Sequence, residues 1–176
     1  MVTAGAQQAF INCLLTLCDQ GDGIVLFKPF YFNHAMNVEM TGSGAHLIEG
    51  PCHSETLLPD LDWLAWRCQQ PDPPKMVVCV NPCNPTGQQS NLLMQRGRCS
   101  CSGVVMSKGD VERAAEICGA CGAWLLMDNA YEYFLYDGRQ HHCAAAPHVL
   151  HLFSFSKVPV TSWNDDGRCD SCSRME

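Results

Sequence analysis

Long apolar runs and positive charge are both scarce in this sequence. No uninterrupted apolar run approaches the ~18–20 residues that a membrane-spanning helix needs, so we expect no membrane association. Lysine and arginine total 11 against 18 aspartate and glutamate residues, and the resulting net charge of −7 argues against general nucleic-acid binding. The residues after Met1 have neither the basic nor the apolar character of a signal peptide, and we therefore expect a cytoplasmic protein.

Cysteine is plentiful, at 13 residues, yet its distribution does not indicate disulfides. Several cysteines lie inside apolar stretches, where a reduced thiol packs as a small hydrophobic group: Cys13, Cys18, Cys79 and Cys118. The cysteines at 99 and 101 and at 169 and 172 lack the regular paired spacing of structural zinc sites, so no metal is predicted. The pair at 118 and 121 lies at a helix end, not at the helix N-terminus that activates a thiol, which predicts plain packing.

Helix and strand patterns alternate along a chain whose 176 residues fit one domain. Apolar residues at helical spacing predict helices over 6–18, 61–68 and 108–118, the last opened by a capping box at Ser107 and Asp110. Short apolar runs between turn residues predict strands at 24–27, 45–48, 76–80, 124–127 and 149–153. Strands that alternate with helices favour an α/β fold, with a mostly parallel sheet and flanking helices.

Polar segments follow three of the predicted strands, at residues 81–87, 128–131 and 154–157. In open α/β sheets, ligands bind beyond the carboxyl ends of the strands. The sequence therefore predicts a binding site at this edge of the sheet.

These segments resemble the signatures of one enzyme family. Residues 81–87 read Asn-Pro-Cys-Asn-Pro-Thr-Gly, residues 128–131 read Asp-Asn-Ala-Tyr, and residues 154–157 read Ser-Phe-Ser-Lys. Residues 2–9, Val-Thr-Ala-Gly-Ala-Gln-Gln-Ala, resemble the phosphate-binding turn of the same family. In this order and spacing, the four segments resemble the class I/II aminotransferases, which are fold type I enzymes dependent on pyridoxal 5′-phosphate. The resemblance implies part of the cofactor-binding large domain over residues 1–157.

The resemblance also implies roles around the cofactor ring. Lys157 would hold the cofactor as a Schiff base and move the proton during catalysis. Asp128 would pair with the pyridine nitrogen, so that the ring stays protonated and accepts electrons. Tyr131 and Asn84 would hydrogen-bond the phenolic oxygen, and Tyr31 would stack on the ring.

The phosphate would be bound at the start of the first helix, by Gly5, Ala6 and Gln7. Helix N-termini offer unpaired N–H groups to anions, and Ser154 would add a hydroxyl. Two positions stay open. Phe30 or Phe32 could take the stacking role instead, and a single histidine, at position 34, either lies behind the cofactor near the aspartate or has no part in the site.

The segments at 27–33 and 129–138 are most similar to plant and algal aromatic-type aminotransferases. That similarity predicts an aromatic amino acid or methionine and a 2-oxo acid as small-molecule partners, and a homodimer. Two alternatives remain: a lyase or synthase of the same fold, such as a cyclopropane-forming synthase, and a non-catalytic fragment. The exact substrate cannot be predicted from these residues.

The sequence departs from the family pattern in three places. Residues 88–103 fit nothing in the family, and we expect either a foreign insertion, such as translated intron, or a surface loop. Residues 158–176 diverge and lack the Gly-x-Arg whose arginine binds the phosphate, which predicts weaker cofactor binding. The N-terminal arm and the C-terminal small domain are expected to be missing, so we expect a truncated chain with poor turnover.

Overall fold

A single five-stranded sheet forms the centre of the described chain. The computed structural model describes residues 1–84, 104–135 and 138–157. The strands are β1 (Gly23–Phe27), β2 (His46–Gly50), β3 (Met76–Val80), β4 (Trp124–Asp128) and β5 (Val149–Leu152). Their order across the sheet is β2-β1-β3-β4-β5, and every neighbouring pair is parallel. The predicted α/β fold with a parallel sheet is confirmed.

Helices cover both faces of this sheet. The described helices are α1 (Gly5–Leu17), α2 (Phe32–Met40), α3 (Leu61–Cys68) and α4 (Lys108–Cys121), followed by a 3₁₀ turn at Phe155–Lys157. Alternate strand residues point to opposite faces. Val25, Val77 and Leu125 pack with the residues of α3 and α4, whereas their neighbours in the strands pack with α1 and α2. The central strands are therefore buried on both sides, which explains their continuous apolar sequences.

The predicted capping box opens α4. Ser107 Oγ accepts from the Asp110 backbone N–H at 3.2 Å, and the Asp110 carboxylate accepts from the Ser107 N–H at 3.0 Å. The helix continues to Cys121, three residues beyond the predicted end, and Gly122 terminates it with a left-handed φ of +76°. Cys118 is fully buried inside this helix, and burial raises the pKa of its thiol, as expected of plain packing.

The sequence pattern does not predict helix α2. It has only nine residues, and its buried face carries the polar side chains of His34 and Asn37 beside Val38. A short helix with a partly polar buried face gives no clear apolar period.

Several predictions fall on residues outside the described ranges. These are the foreign segment at 88–103, the divergent tail at 158–176 and the zinc alternative at the cysteines 99, 101, 169 and 172. Within the described ranges, no three His, Cys, Asp or Glu side chains cluster as metal ligands do. None of the helices there combines the length and apolarity needed to cross a membrane.

Candidate active site

A cavity of about 280 Å³ lies where the carboxyl ends of β3, β4 and β5 meet the N-terminus of α1. Its volume is close to the ~300 Å³ lower bound of typical ligand pockets. The structure brings every residue predicted for the site to the wall of this one cavity. These residues are Gly5, Ala6, Gln7, Tyr31, Asn84, Asp128, Tyr131, Ser154 and Lys157.

Asp128, the last residue of β4, presents a buried carboxylate to the cavity, with 6% of the residue exposed. Its Oδ2 lies 3.1 Å from His34 Nε2, and its Oδ1 accepts from the Ala130 backbone N–H at 3.0 Å. The His34 ring is itself fixed, because it stacks on Phe10 with the ring centroids 4.4 Å apart. Both carboxylate oxygens are thus held, so the orientation of the carboxylate is set before any ligand arrives.

A hydrogen bond links the polar side chains that follow β3 and β4. Asn84 Nδ2 donates to the Tyr131 hydroxyl at 3.2 Å. Lys157, in the 3₁₀ turn after β5, places its Nζ 5.8 Å from the centroid of the Tyr131 ring. An amide, a phenol and an amine from three adjacent strand ends therefore meet on one side of the cavity.

Tyr31 is the aromatic residue that reaches the cavity from the segment between β1 and α2. Its hydroxyl accepts from Asn33 Nδ2 at 2.6 Å, and its ring meets the His34 ring edge-on. Of the two alternatives, Phe30 packs against the core and Phe32 is 62% exposed. Neither lines the cavity. Stacking on a cofactor ring stays a prediction for Tyr31.

The start of α1 forms another part of the cavity wall. The residue before the helix is Ala4, which has no side-chain oxygen to cap the first turn. The first N–H groups of a helix lack intrahelical partners, and together with the helix dipole they attract anions. Ser154 and Ser156 line the same cavity, and their hydroxyl oxygens lie 2.7 Å apart. The Gly5 N–H already donates to the Thr3 carbonyl oxygen at 2.9 Å, so the following N–H groups of the helix and the serine hydroxyls are the donors that suit a phosphate group.

Gly5→Ala tests whether this helix start needs glycine. Gly5 has a φ of +83°, and a Cβ there would meet no atom within 4 Å, so the expected cost is conformational, about 1–2 kcal/mol. Gly21→Ala is the matched control, because Gly21 has a φ of +91°, has equal space and lies outside the cavity. We expect both variants to lower the melting temperature, but only Gly5→Ala to weaken phosphate or cofactor affinity. Equal affinities in the two variants would contradict an anion site at α1.

A hydrogen-bond network behind the cavity was not predicted from the sequence. Asn129 is fully buried, and its amide lies 2.9 Å from His151 Nδ1. His141 Nε2 lies 3.1 Å from both Asn129 Oδ1 and the Asn81 carbonyl oxygen. Asn129 belongs to the Asp-Asn-Ala-Tyr motif of residues 128–131, but the two histidines carry no sequence signal of their own.

Comparisons with known proteins agree on one family. The family model described as aminotransferase class I and II matches residues 1–93. Aromatic aminotransferase ISS1 of Arabidopsis thaliana is 46% identical over 159 residues, which cover 90% of this chain and 36% of that protein. An aspartate aminotransferase of Sulfurisphaera tokodaii is 26% identical over 168 residues, which cover 93% of this chain and 38% of that protein. The solved structure of N-succinyldiaminopimelate aminotransferase from Mycobacterium tuberculosis superposes with a TM-score of 0.70 at 25% identity. The match covers 88% of this chain and 37% of that protein. The chain spans little more than a third of these relatives.

Proposed function

Because the chain belongs to the class I and II aminotransferases, we propose that it binds pyridoxal 5′-phosphate through Lys157 and transfers an amino group between an amino acid and a 2-oxo acid. The observation that carries the proposal is that the buried Asp128 carboxylate and the Lys157 amine line the same cavity. Its volume of about 280 Å³ can hold a substituted pyridine ring.

The donor set of the cavity fits this cofactor. A protonated pyridine nitrogen needs an anionic partner, and Asp128 offers a carboxylate whose orientation is already fixed by His34. A phosphate needs N–H and hydroxyl donors, which the first turn of α1 and Ser154 supply. When bound, the cofactor supplies an aldehyde for covalent attachment and a ring that accepts electron density.

Lys157 would perform two tasks in this reaction. Its Nζ would be the nucleophile for covalent attachment, and it would also take a proton from the α-carbon of the substrate. Among the described residues that line the cavity, it is the only lysine. Asp128 would hold the proton on the ring nitrogen, which favours electron flow away from that α-carbon.

The remaining cavity residues would orient the ring. Asn84 holds the Tyr131 hydroxyl at 3.2 Å, so that this hydroxyl is positioned to donate to the phenolic oxygen of the cofactor. Tyr31 would cover one ring face and exclude water from it. Both contacts restrict the ring to one orientation, which is the main contribution of a protein to cofactor chemistry.

The proposal extends to an aromatic amino acid or methionine as amino donor. It is supported by the 46% identity to an aromatic aminotransferase and by the similar segments at 27–33 and 129–138. The matching family model and the two relatives named above are aminotransferases, so the lyase or synthase alternative is not favoured.

A single-turnover assay tests the amino transfer directly. The cofactor-loaded chain is mixed with phenylalanine, methionine or aspartate, and the 2-oxo acid formed is measured by mass spectrometry. We expect the visible absorbance of the loaded chain to change with phenylalanine and methionine. The matching 2-oxo acid should appear in an amount equal to that of the bound cofactor. A loaded chain that converts none of the three would contradict amino transfer, and one that converts only aspartate would contradict the aromatic assignment.

We also propose a homodimer. Phe32, Met36 and Met40 lie four residues apart on one face of α2, and all three are exposed. Exposed apolar groups of this kind often mark protein interfaces. Light scattering of the purified chain gives the mass, and a monomer at all concentrations would contradict this part of the proposal.

A further inference from the structure

The unpredicted network behind the cavity joins three strand ends. We propose that His141 is a positioning residue. Through Asn81 and Asn129, it fixes the position of the two cofactor-binding segments after β3 and β4 relative to each other. The expected effect on cofactor binding rests on the proposed function, whereas the role of His141 in the hydrogen-bond network does not. His141 does not line the cavity in the described chain, so any effect on the cofactor passes through these two residues.

The hydrogen-bond directions in this network can be assigned step by step. His151 Nε2 lies 2.9 Å from the Ala144 carbonyl oxygen, which can only accept, so this ring nitrogen carries a proton. In the neutral ring the Nδ1 atom is then an acceptor, and Asn129 Nδ2 donates to it at 2.9 Å. That fixes Asn129 Oδ1 as the oxygen that faces His141.

His141 is consequently the donor that two buried acceptors share. Its Nε2 lies 3.1 Å from Asn129 Oδ1 and 3.1 Å from the Asn81 carbonyl oxygen. Both asparagines are fully buried, so water cannot replace a lost partner without entering the core. Burial also lowers the pKa of His141, which favours the neutral ring with one N–H for this purpose.

The two asparagines lie next to the residues of the proposed site. The Asn81 N–H donates to the Asp128 carbonyl oxygen at 2.9 Å, and Asn81 Oδ1 accepts from the Met106 N–H at 2.9 Å. Asn129 directly follows Asp128 in the chain. A loss of the His141 donor should therefore loosen the backbone at both Asn84 and Asp128, which in the proposed function act at the phenolic oxygen and at the pyridine nitrogen.

Three variants of the full chain separate positioning from simple packing. His141→Leu removes the donor, His141→Gln retains an N–H donor at a similar distance from the backbone, and His142→Leu changes the neighbouring histidine of the same loop. We expect His141→Leu to weaken cofactor affinity about 10-fold and to alter the visible spectrum of the bound cofactor. His141→Gln should recover most of both, and His142→Leu should match the parent chain. Failure of the Gln variant to recover the affinity, or equal losses in both Leu variants, would overturn the inference.

Hydrogen exchange of the cofactor-free chain tests the hydrogen-bond network independently of the proposed function. We expect the Asn81 and Met106 amides to exchange about 10-fold faster in His141→Leu, and at the parent rate in His142→Leu. If the parent chain does not bind the cofactor, the proposed function fails and this comparison alone decides the inference. Unchanged exchange at both amides would overturn it.

Discussion

Lys157→Ala should abolish covalent attachment of pyridoxal 5′-phosphate and lower amino transfer by roughly 10²–10⁴-fold, the usual contribution of a general base. Lys157 is the only lysine among the described residues that line the cavity. The other cavity contacts, at Asp128 and the start of α1, remain in the variant. Cofactor should therefore still bind, but without a bond that borohydride can reduce.

The readout is the mass of the borohydride-reduced chain and of its proteolytic peptides. In the parent chain, one cofactor should be found on the peptide that contains Lys157. Lys108→Ala is the control, because Lys108 is exposed on α4, pairs with Glu112 and does not line the cavity. A reduced cofactor on another lysine of the parent chain would contradict the assignment, as would full attachment in Lys157→Ala.

The central sheet could be predicted from the sequence because burial on both faces leaves a simple pattern. Met76–Val80 is apolar at every position, and the structure has a strand with these bounds. The start of α4 was equally clear, since a capping box is a local hydrogen-bond pattern between residues three apart. Strands that are buried on both faces, and helix caps formed by residues close together in the sequence, are therefore predictable.

The features that were missed depend on contacts between distant segments. Helix α2 is such a feature: the family resemblance allows His34 to lie near Asp128, but the contact that buries this polar helix face is with a residue 94 positions further along the chain. His141 bonds to Asn81 across 60 positions, from a loop without helix or strand. No spacing rule along the sequence predicts such pairs, because each forms only when the sheet brings its strand ends together.

Asp128→Asn separates the role of the negative charge from the role of shape. The amide is nearly isosteric with the carboxylate, so one oxygen can still accept from the Ala130 N–H. The other atom becomes an N–H group that faces His34 Nε2, 3.1 Å away, because a flipped amide would set this group against the Ala130 N–H. The charge that would hold a proton on the pyridine nitrogen is gone.

We expect this variant to keep covalent attachment at Lys157 while amino transfer falls roughly 10- to 150-fold, as for loss of a hydrogen bond to a charged group worth ~1.5–3 kcal/mol. Single-turnover rates measure the transfer, and borohydride reduction measures the attachment. Asp62→Asn is the control, since Asp62 is exposed and pairs with Arg113 away from the cavity. A parent-like transfer rate in Asp128→Asn would show that the charge is not used. Loss of covalent attachment would instead show that Asp128 maintains the shape of the cavity, because attachment at Lys157 would then require that shape.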